Sequence, residues 1–240
     1  MERRATTTEQ GMRLPEQSEH QTLSAGSSAL DGRLDDAQLV RMLAYRDLLL
    51  KWNVKHNLTA IRDPRQALTH HLLDSLAIVA PLRRMRDGAR LARLLDVGSG
   101  GGLPGVLLAM AMPNLQVVCV DAASKKTGFI RQAAAELGLQ NIRAVHSRVE
   151  SLEEGVFDIV ASRAFASLTD FSRLTRQHLA ADGVWLAMKG LHPQDEIAAL
   201  PEDVEVFHVE QLVVPGLDAE RCIVWMRKRA TAGAPRQPSA

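Results

Sequence analysis

Residues 94–105 read Leu94-Leu95-Asp96-Val97-Gly98-Ser99-Gly100-Gly101-Gly102-Leu103-Pro104-Gly105. A short apolar strand runs straight into glycines, and the apolar stretch Val106 to Met112 that follows reads as a helix. Glycine tolerates positive φ and lets backbone amides approach a ligand closely, while proline suits a first helical turn. A tight β–α turn can by itself demand a glycine. Four glycines in the five positions 98–102 exceed that need.

The loop fits two cofactors. Gly100-x-Gly102-x-x-Gly105 satisfies the dinucleotide fingerprint, and Asp96-x-Gly98-x-Gly100-x-Gly102 is the pattern of S-adenosylmethionine enzymes. Charge separates them. A dinucleotide sets an anionic pyrophosphate against such a loop, where Asp96 would repel it. S-adenosylmethionine has no phosphate; it carries a sulfonium and an ammonium, which Asp96 would attract. At ~4 Å and an effective dielectric near 20, one such pair interacts by about 4 kcal/mol before desolvation. Asp121 ends the next strand, 19 residues beyond Gly102. An acid there can accept the ribose hydroxyls of either cofactor, so it supports the site without choosing between them.

Outward from the loop, strand and helix alternate. Val117 to Asp121, Ile142 to His146, Phe157 to Ser162 and Val184 to Lys189 read as strands; Ser124 to Leu137 and Leu168 to Leu179 read as helices. Val204 to Val214 and Cys222 to Lys228 flank a Pro215-Gly216 turn and read as a hairpin. The implied fold is α/β, a doubly wound, mostly parallel sheet with one antiparallel strand, over 93–229. A helical extension over 35–92 precedes it. Leu39, Met42, Leu43, Leu49, Leu50 and Trp52 share a helical face, Asn53 to Arg62 reads as a loop, and Asp63-Pro64 starts a helix that Pro81 ends. Residues 1–34 and 230–240 are polar and aperiodic, and read as disordered tails.

Composition excludes several classes. The chain has 240 residues and a formal net charge of +1, so it is neither histone-like nor an acidic tail. Two cysteines make no disulfide framework, which points to a reduced, cytoplasmic protein. Val106 to Met112 is too short to cross a bilayer, and no secretory signal is visible. His70, His71 and Asp74 lack further ligands at metal spacing, so a capping or packing role is expected of them and no metal. Tyr45, Trp52, Phe165 and Trp185 read as core. Arg83, Arg84, Arg86, Arg90 and Arg93 form a basic cluster that reads equally as a phosphate-contacting rim or a solvated face.

The fourth strand ends at Ser162-Arg163-Ala164-Phe165, where a transferred group should arrive. Methylation of exocyclic base amines goes with Asn/Asp-Pro-Pro-aromatic there, and cytosine-C5 methylation needs a nucleophilic cysteine. Neither is present: Cys119 lies mid-strand and Cys222 follows Arg221. What remains is a target with a usable lone pair, such as guanine N7, or a hydroxyl whose base the sequence does not identify.

Together these residues resemble the bacterial ribosomal RNA small subunit methyltransferase G (RsmG, or GidB) family. The match runs through Lys51-Trp52-Asn53, Asn57-Leu58-Thr59, Arg62-Asp63-Pro64, His71-x-x-Asp74-Ser75, the glycine loop, Asn141-Ile142, Ser147-Arg148-Val149-Glu150, Ser162-Arg163-Ala164-Phe165-Ala166-Ser167-Leu168, Lys189-Gly190 and Asp195-Glu196-Ile197. It covers about residues 35 to 228. The resemblance implies a class I methyltransferase fold and methyl transfer from S-adenosylmethionine to N7 of a guanine in 16S ribosomal RNA, within the small subunit or an assembly intermediate, with no membrane or DNA partner. It implies cofactor contacts at Gly98, Leu103, Val149, Glu150 and Arg163. Asp96, Gly100, Gly102 and Asp121 join them on the physical argument, and Arg62, Lys125, Arg148 and Lys189 are the expected RNA contacts. Gly101 stands where many relatives have proline, which should loosen the loop slightly. Rival readings are a methyltransferase acting on a small molecule or protein, a nicotinamide-dependent oxidoreductase, and a non-catalytic RNA-binding assembly factor.

Overall fold

The apolar strands read from the sequence form one sheet. A computed structural model describes residues 14–85, 93–163, 165 and 167–229. Among these residues the strands are β1 (Arg93–Val97), β2 (Gln116–Asp121), β3 (Ile142–His146), β4 (Phe157–Arg163), β5 (Leu179–Lys189), β6 (Val204–Leu212) and β7 (Arg221–Lys228). Their order across the sheet is β3-β2-β1-β4-β5-β7-β6. β1 pairs in parallel with both β2 and β4, and β7 is antiparallel to both β5 and β6. The chain winds from β1 outward to β3, then returns to β4 on β1's other side. The crevice at such a reversal, above the carboxyl ends of β1 and β4, is where ligands bind in open α/β sheets.

Both faces of the sheet are covered, so its central strands send apolar side chains to both sides. Leu94, Val117, Ile159 and Leu186 join one core with α6 (Gly105–Ala111) and α7 (Ser124–Glu136). Leu95, Val118, Val160 and Trp185 join the other with α8 (Leu168–Thr175). Alternate side chains thus serve opposite cores, as the two-residue period of a strand requires.

The helical extension differs from the expectation in three places. The proposed tail at 1–34 contains α1 (Leu14–Ala29). Leu23 is fully buried against the extension, a Cβ on Gly26 would lie 2.7 Å from Leu73 Cδ2, and Glu19 pairs with Arg46 at 2.9 Å. The segment is too polar to fold alone, but α2 (Asp36–His56) and the helix after it supply the missing surface. Residues 1–13 and 230–240 lie outside the described residues. α2 opens on a capping box between Asp35 and Gln38, and it runs through Asn53 to His56 before a left-handed Asn57 closes it. Asp63 caps the next helix as read, accepting from Gln66 N at 2.8 Å. That helix comprises α3 (Pro64–Ala67), a π-helical turn (Leu68–Leu73) and α4 (Asp74–Leu76). The break falls at Ala77-Ile78 rather than at Pro81. Pro81 sits in the first turn of α5 (Val79–Met85), where a missing N–H costs no hydrogen bond.

Two later boundaries also move. The helix read as ending at Leu179 stops at Thr175 and tightens into a 3₁₀ turn, Arg176–His178. β5 therefore begins at Leu179, pairing with Phe157 across an irregularity in β4. A short helix, α9 (Gln194–Ala198), follows β5. No helix among the described residues is long and apolar enough to cross a membrane.

Candidate active site

The glycine loop arches over the end of β1. Gly98 and Ser99 donate to Val120 O at 2.9 and 3.2 Å, which ties the loop to β2. Gly98, Gly100 and Gly102 have φ of +66°, +57° and +89°. Their neighbourhoods differ. A Cβ on Gly98 would meet nothing within 4 Å, whereas one on Gly102 would lie 2.4 Å from Val106 Cγ2. Gly98 therefore leaves an open approach to the backbone, and Gly102 lets the loop pack on α6. The Tyr45 hydroxyl of α2 donates to Gly101 O, so the extension holds the loop from behind.

Asp96 is fully buried beneath this loop. Its Oδ2 accepts from Gly105 N at 2.9 Å, and its Oδ1 has no partner. Burial pushes its carboxyl up to about 7, against the opposing pull of the Gly105 N–H and of Arg163. Asp96 is absent from the cavity walls above it, so its charge would act on a ligand through the loop and not by contact. Asp121 is nearer the surface. Its Oδ2 accepts from Gly100 N at 3.0 Å and its Oδ1 from Ala123 N at 2.9 Å. A carboxylate has about four lone-pair sites, which leaves acceptor capacity for hydroxyls.

Three cavities adjoin along the carboxyl edge of the sheet. The first, about 300 Å³, is walled by Gly98, Asp121, Arg148, Val149, Glu150 and Phe165. Phe165, read as core, is half-buried on this wall and packs on Phe171 at 5.5 Å between centroids. The second, about 120 Å³, shares Gly98 and adds Thr59, Gly100, Leu103 and Arg163. The third, about 470 Å³, shares Arg163 and adds His70, Asp74, Met188, Lys189 and Arg221. Gly98 and Arg163 each line two of these cavities, so the three lie side by side as a cleft along that edge. Of the residues read as cofactor contacts, Gly98, Gly100, Leu103, Asp121, Val149, Glu150 and Arg163 line it, while Asp96 and Gly102 lie behind it.

The extension supplies more of the site than its sequence disclosed. Asn53 accepts from Thr59 N at 2.9 Å and donates to Ile61 O at 3.1 Å, which shapes the 57–61 loop into a lip over the cleft. His71 Nδ1 lies 3.1 Å from His70 O, which can only accept, and Nε2 lies 2.8 Å from Thr59 Oγ1. Burial and the neighbouring Arg163 lower His71 to about 4, so it is neutral. Asp74 accepts from Arg163 Nη1 at 3.2 Å and from Arg221 Nε at 2.7 Å. Sequence reasoning gave Asp74 a capping or packing role and did not single out Arg221 as a site residue. No group of residues suited to a metal ion occurs among the described residues.

The residues read as RNA contacts are dispersed. Arg148 lines the first cavity and Lys189 the third, where its Nζ is held by both oxygens of Glu196 at 2.8 and 2.9 Å. Lys125 is exposed on the first turn of α7, and Arg62 is exposed beside the lip, 3.4 Å from Asn57 Oδ1. The arginine cluster is largely structural: Arg83 donates to Gly32 O and Ala111 O, Arg84 pairs with Glu210, and Arg93 donates to Glu154 O and Val156 O. Arg86 and Arg90 lie outside the described residues.

Comparison with known proteins agrees with this geometry. Among solved structures, TrmN from Thermus thermophilus matches with a TM-score of 0.53 at 21% identity, over 68% of this chain and 53% of that one. The N-methyltransferase NodS from Bradyrhizobium japonicum, solved with S-adenosyl-L-homocysteine, matches with a TM-score of 0.51 at 13% identity, over 75% of this chain and 99% of that one. At those identities they show the fold alone. Closer relatives carry the name ribosomal RNA small subunit methyltransferase G. One from Acidovorax sp. is 59% identical over 85% of this chain and 93% of its own length; one from Leptothrix cholodnii is 57% identical over 91% and 100%. The family model for rRNA small subunit methyltransferase G matches residues 38–224. With a class I methyltransferase sheet, a glycine loop over a buried acid and relatives of this identity over nearly the whole chain, the protein belongs to the rRNA small subunit methyltransferase G (GidB) family.

Proposed function

We propose that this chain transfers a methyl group from S-adenosylmethionine to N7 of a guanine in 16S ribosomal RNA. The observation that carries the reading is this row of cavities, in which two suited to the donor adjoin a larger one lined by Arg163, Lys189 and Arg221.

The residues present suit the donor. Asp121 and Glu150 offer carboxylates where adenosine hydroxyls and ring amines need acceptors, with Val149 closing the floor. Gly98, Gly100 and Leu103 would pass the chain of the donor along the loop, with Gly102 setting the turn. Arg163 is a counter-charge for its carboxylate, and buried Asp96 one for its cationic end. Bound S-adenosylmethionine supplies a methyl group on a positively charged sulfur.

The chain's own part is to bind and orient. Asp74 is occupied by two guanidinium groups, His71 is neutral and hydrogen-bonded, and both cysteines are buried. That set suits an acceptor that needs no proton removed, and guanine N7 is unprotonated at neutral pH. Holding donor and acceptor in line can by itself contribute roughly 7–11 kcal/mol to barrier reduction. In A-form RNA the major groove is too deep and narrow for side chains, so the target guanine belongs to a loop or a distorted helix. The partner is the RNA within the small subunit or an assembly intermediate, in the cytoplasm, and not DNA or membrane.

The test is transfer of labelled methyl from S-adenosylmethionine to 16S RNA and to small subunits from a strain lacking the enzyme, followed by mapping. Label on N7 of one guanine is expected. Label confined to an exocyclic amine or a ribose would overturn the N7 assignment.

A further inference from the structure

The wall that Val149 and Glu150 give to the first cavity is a single 3₁₀ turn, Val149–Ser151. One turn fixes several backbone angles in return for very few hydrogen bonds, so it does not hold its shape alone. The sheet supports it on one side. β3, which leads into it, is an outermost strand, and Ser147 N donates to Asp121 O at 3.2 Å, tying the chain back to β2. No side chain caps the start of the turn.

The other side is gripped by the 3₁₀ turn that follows α8. His178 is buried, and its Nε2 lies 2.7 Å from Val149 O. A carbonyl only accepts, so that nitrogen carries the hydrogen. Gln177 Nε2 donates to Glu150 O at 3.0 Å. Adjacent residues thus donate to adjacent carbonyls, which fixes the turn against both sliding and rotation. The grip is anchored in the sheet: Trp185 of β5 donates from Nε1 to Thr175 Oγ1 at 2.8 Å, and both residues are fully buried. Leu174 of α8 joins the cavity wall directly. Burial alone does not account for the histidine. Val149, Leu152, Phe171 and Leu179 belong to an apolar core, where a polar ring costs more than a leucine. Val149 O already accepts from Leu152 N at 3.2 Å, so the imidazole is not needed to satisfy it.

We propose that His178 and Gln177 form a clamp that positions the Val149–Glu150 turn for the adenine of the methyl donor. Both are positioning residues, acting through the turn. The proposal rests on the reading that this cavity takes the adenosine half of S-adenosylmethionine. A 6-amino purine donates to a carboxylate, and Glu150 on this wall can accept. A 6-oxo purine presents an acceptor instead, which a carboxylate held in place leaves unpaired. Discrimination between the two bases therefore depends on how firmly the turn is held.

The test is calorimetry with S-adenosylhomocysteine and with its 6-oxo counterpart, in which hypoxanthine replaces adenine. His178→Leu should raise the Kd for S-adenosylhomocysteine at least about fivefold and that for the 6-oxo compound less than about twofold, so the preference for adenine narrows. His178→Gln should stay within about twofold of wild type for both, because its amide can donate to the same carbonyl. A residue that only supports the fold would weaken both ligands alike, or lower the urea midpoint with neither Kd changed; either result in His178→Leu would overturn the clamp. Glu150→Ala separates the clamp from the placement of the donor. A wild type without preference, or a Glu150→Ala variant that keeps it, refutes that placement. Loss of the preference in Glu150→Ala but not in His178→Leu refutes the clamp alone. Should His178→Leu not fold, Gln177→Ala decides, since Gln177 is exposed. Its preference for adenine should narrow about twofold, and an unchanged preference would overturn the proposal.

Discussion

At the scale of single residues, the glycines of one loop do different work. Gly98 and Gly102 both adopt positive φ, which costs a side-chain-bearing residue about 1–2 kcal/mol. Beyond that, Gly102→Ala drives a methyl group into Val106, while Gly98→Ala points one into open cleft. Gly102→Ala should therefore lose more than about 2 kcal/mol of stability by urea unfolding. Gly98→Ala should lose about 1 kcal/mol and weaken S-adenosylmethionine binding at least tenfold by calorimetry. Equal unfolding costs would mean that the packing difference is immaterial. The loop and Asp121 were legible because their chemistry is local to a strand end. The Asp74–Arg221 contact was not, because it joins residues 147 positions apart.

At the scale of elements, period and caps located most of the chain. Asp63 before Pro64 and the helix read over Ser124 to Leu137 marked boundaries that hold to within a residue or two. α1 escaped because its own sequence has almost nothing to bury. Its place depends on Leu23 entering a surface that α2 and the π-helical turn build. Leu23→Ala should cost roughly 2–4 kcal/mol in urea unfolding, in the range for a buried leucine. No change would return residues 14–29 to the status of a tail. The tyrosine contact from α2 to Gly101 O was likewise invisible in sequence, since nothing in the helical period says which core side chain ends on the loop.

At the scale of the whole molecule, the donor and the fold should be linked through Asp96. Burial raises its carboxyl to about 7, with Arg163 opposing and Asp121 adding to the rise. A cation bound above it favours the ionised form. Below about pH 7 binding must expel a proton; above it the charge is already present, so affinity rises with pH. The gain in Tm on saturation with S-adenosylmethionine should therefore grow between pH 6 and pH 8, and Asp96→Asn should flatten that growth. The same growth in the variant would assign the titration to another group and remove Asp96 from the charge argument. The sequence by itself determined the sheet, the loop, the sign of charge beneath it and the family, because periodicity, glycine content and strand-end acids are written in short stretches of chain. Only the tertiary structure decided that Asp96 lies behind the cleft, that α1 docks, and that Asp74 unites Arg163 with Arg221, because burial and long-range ion pairing exist only once distant segments are packed together.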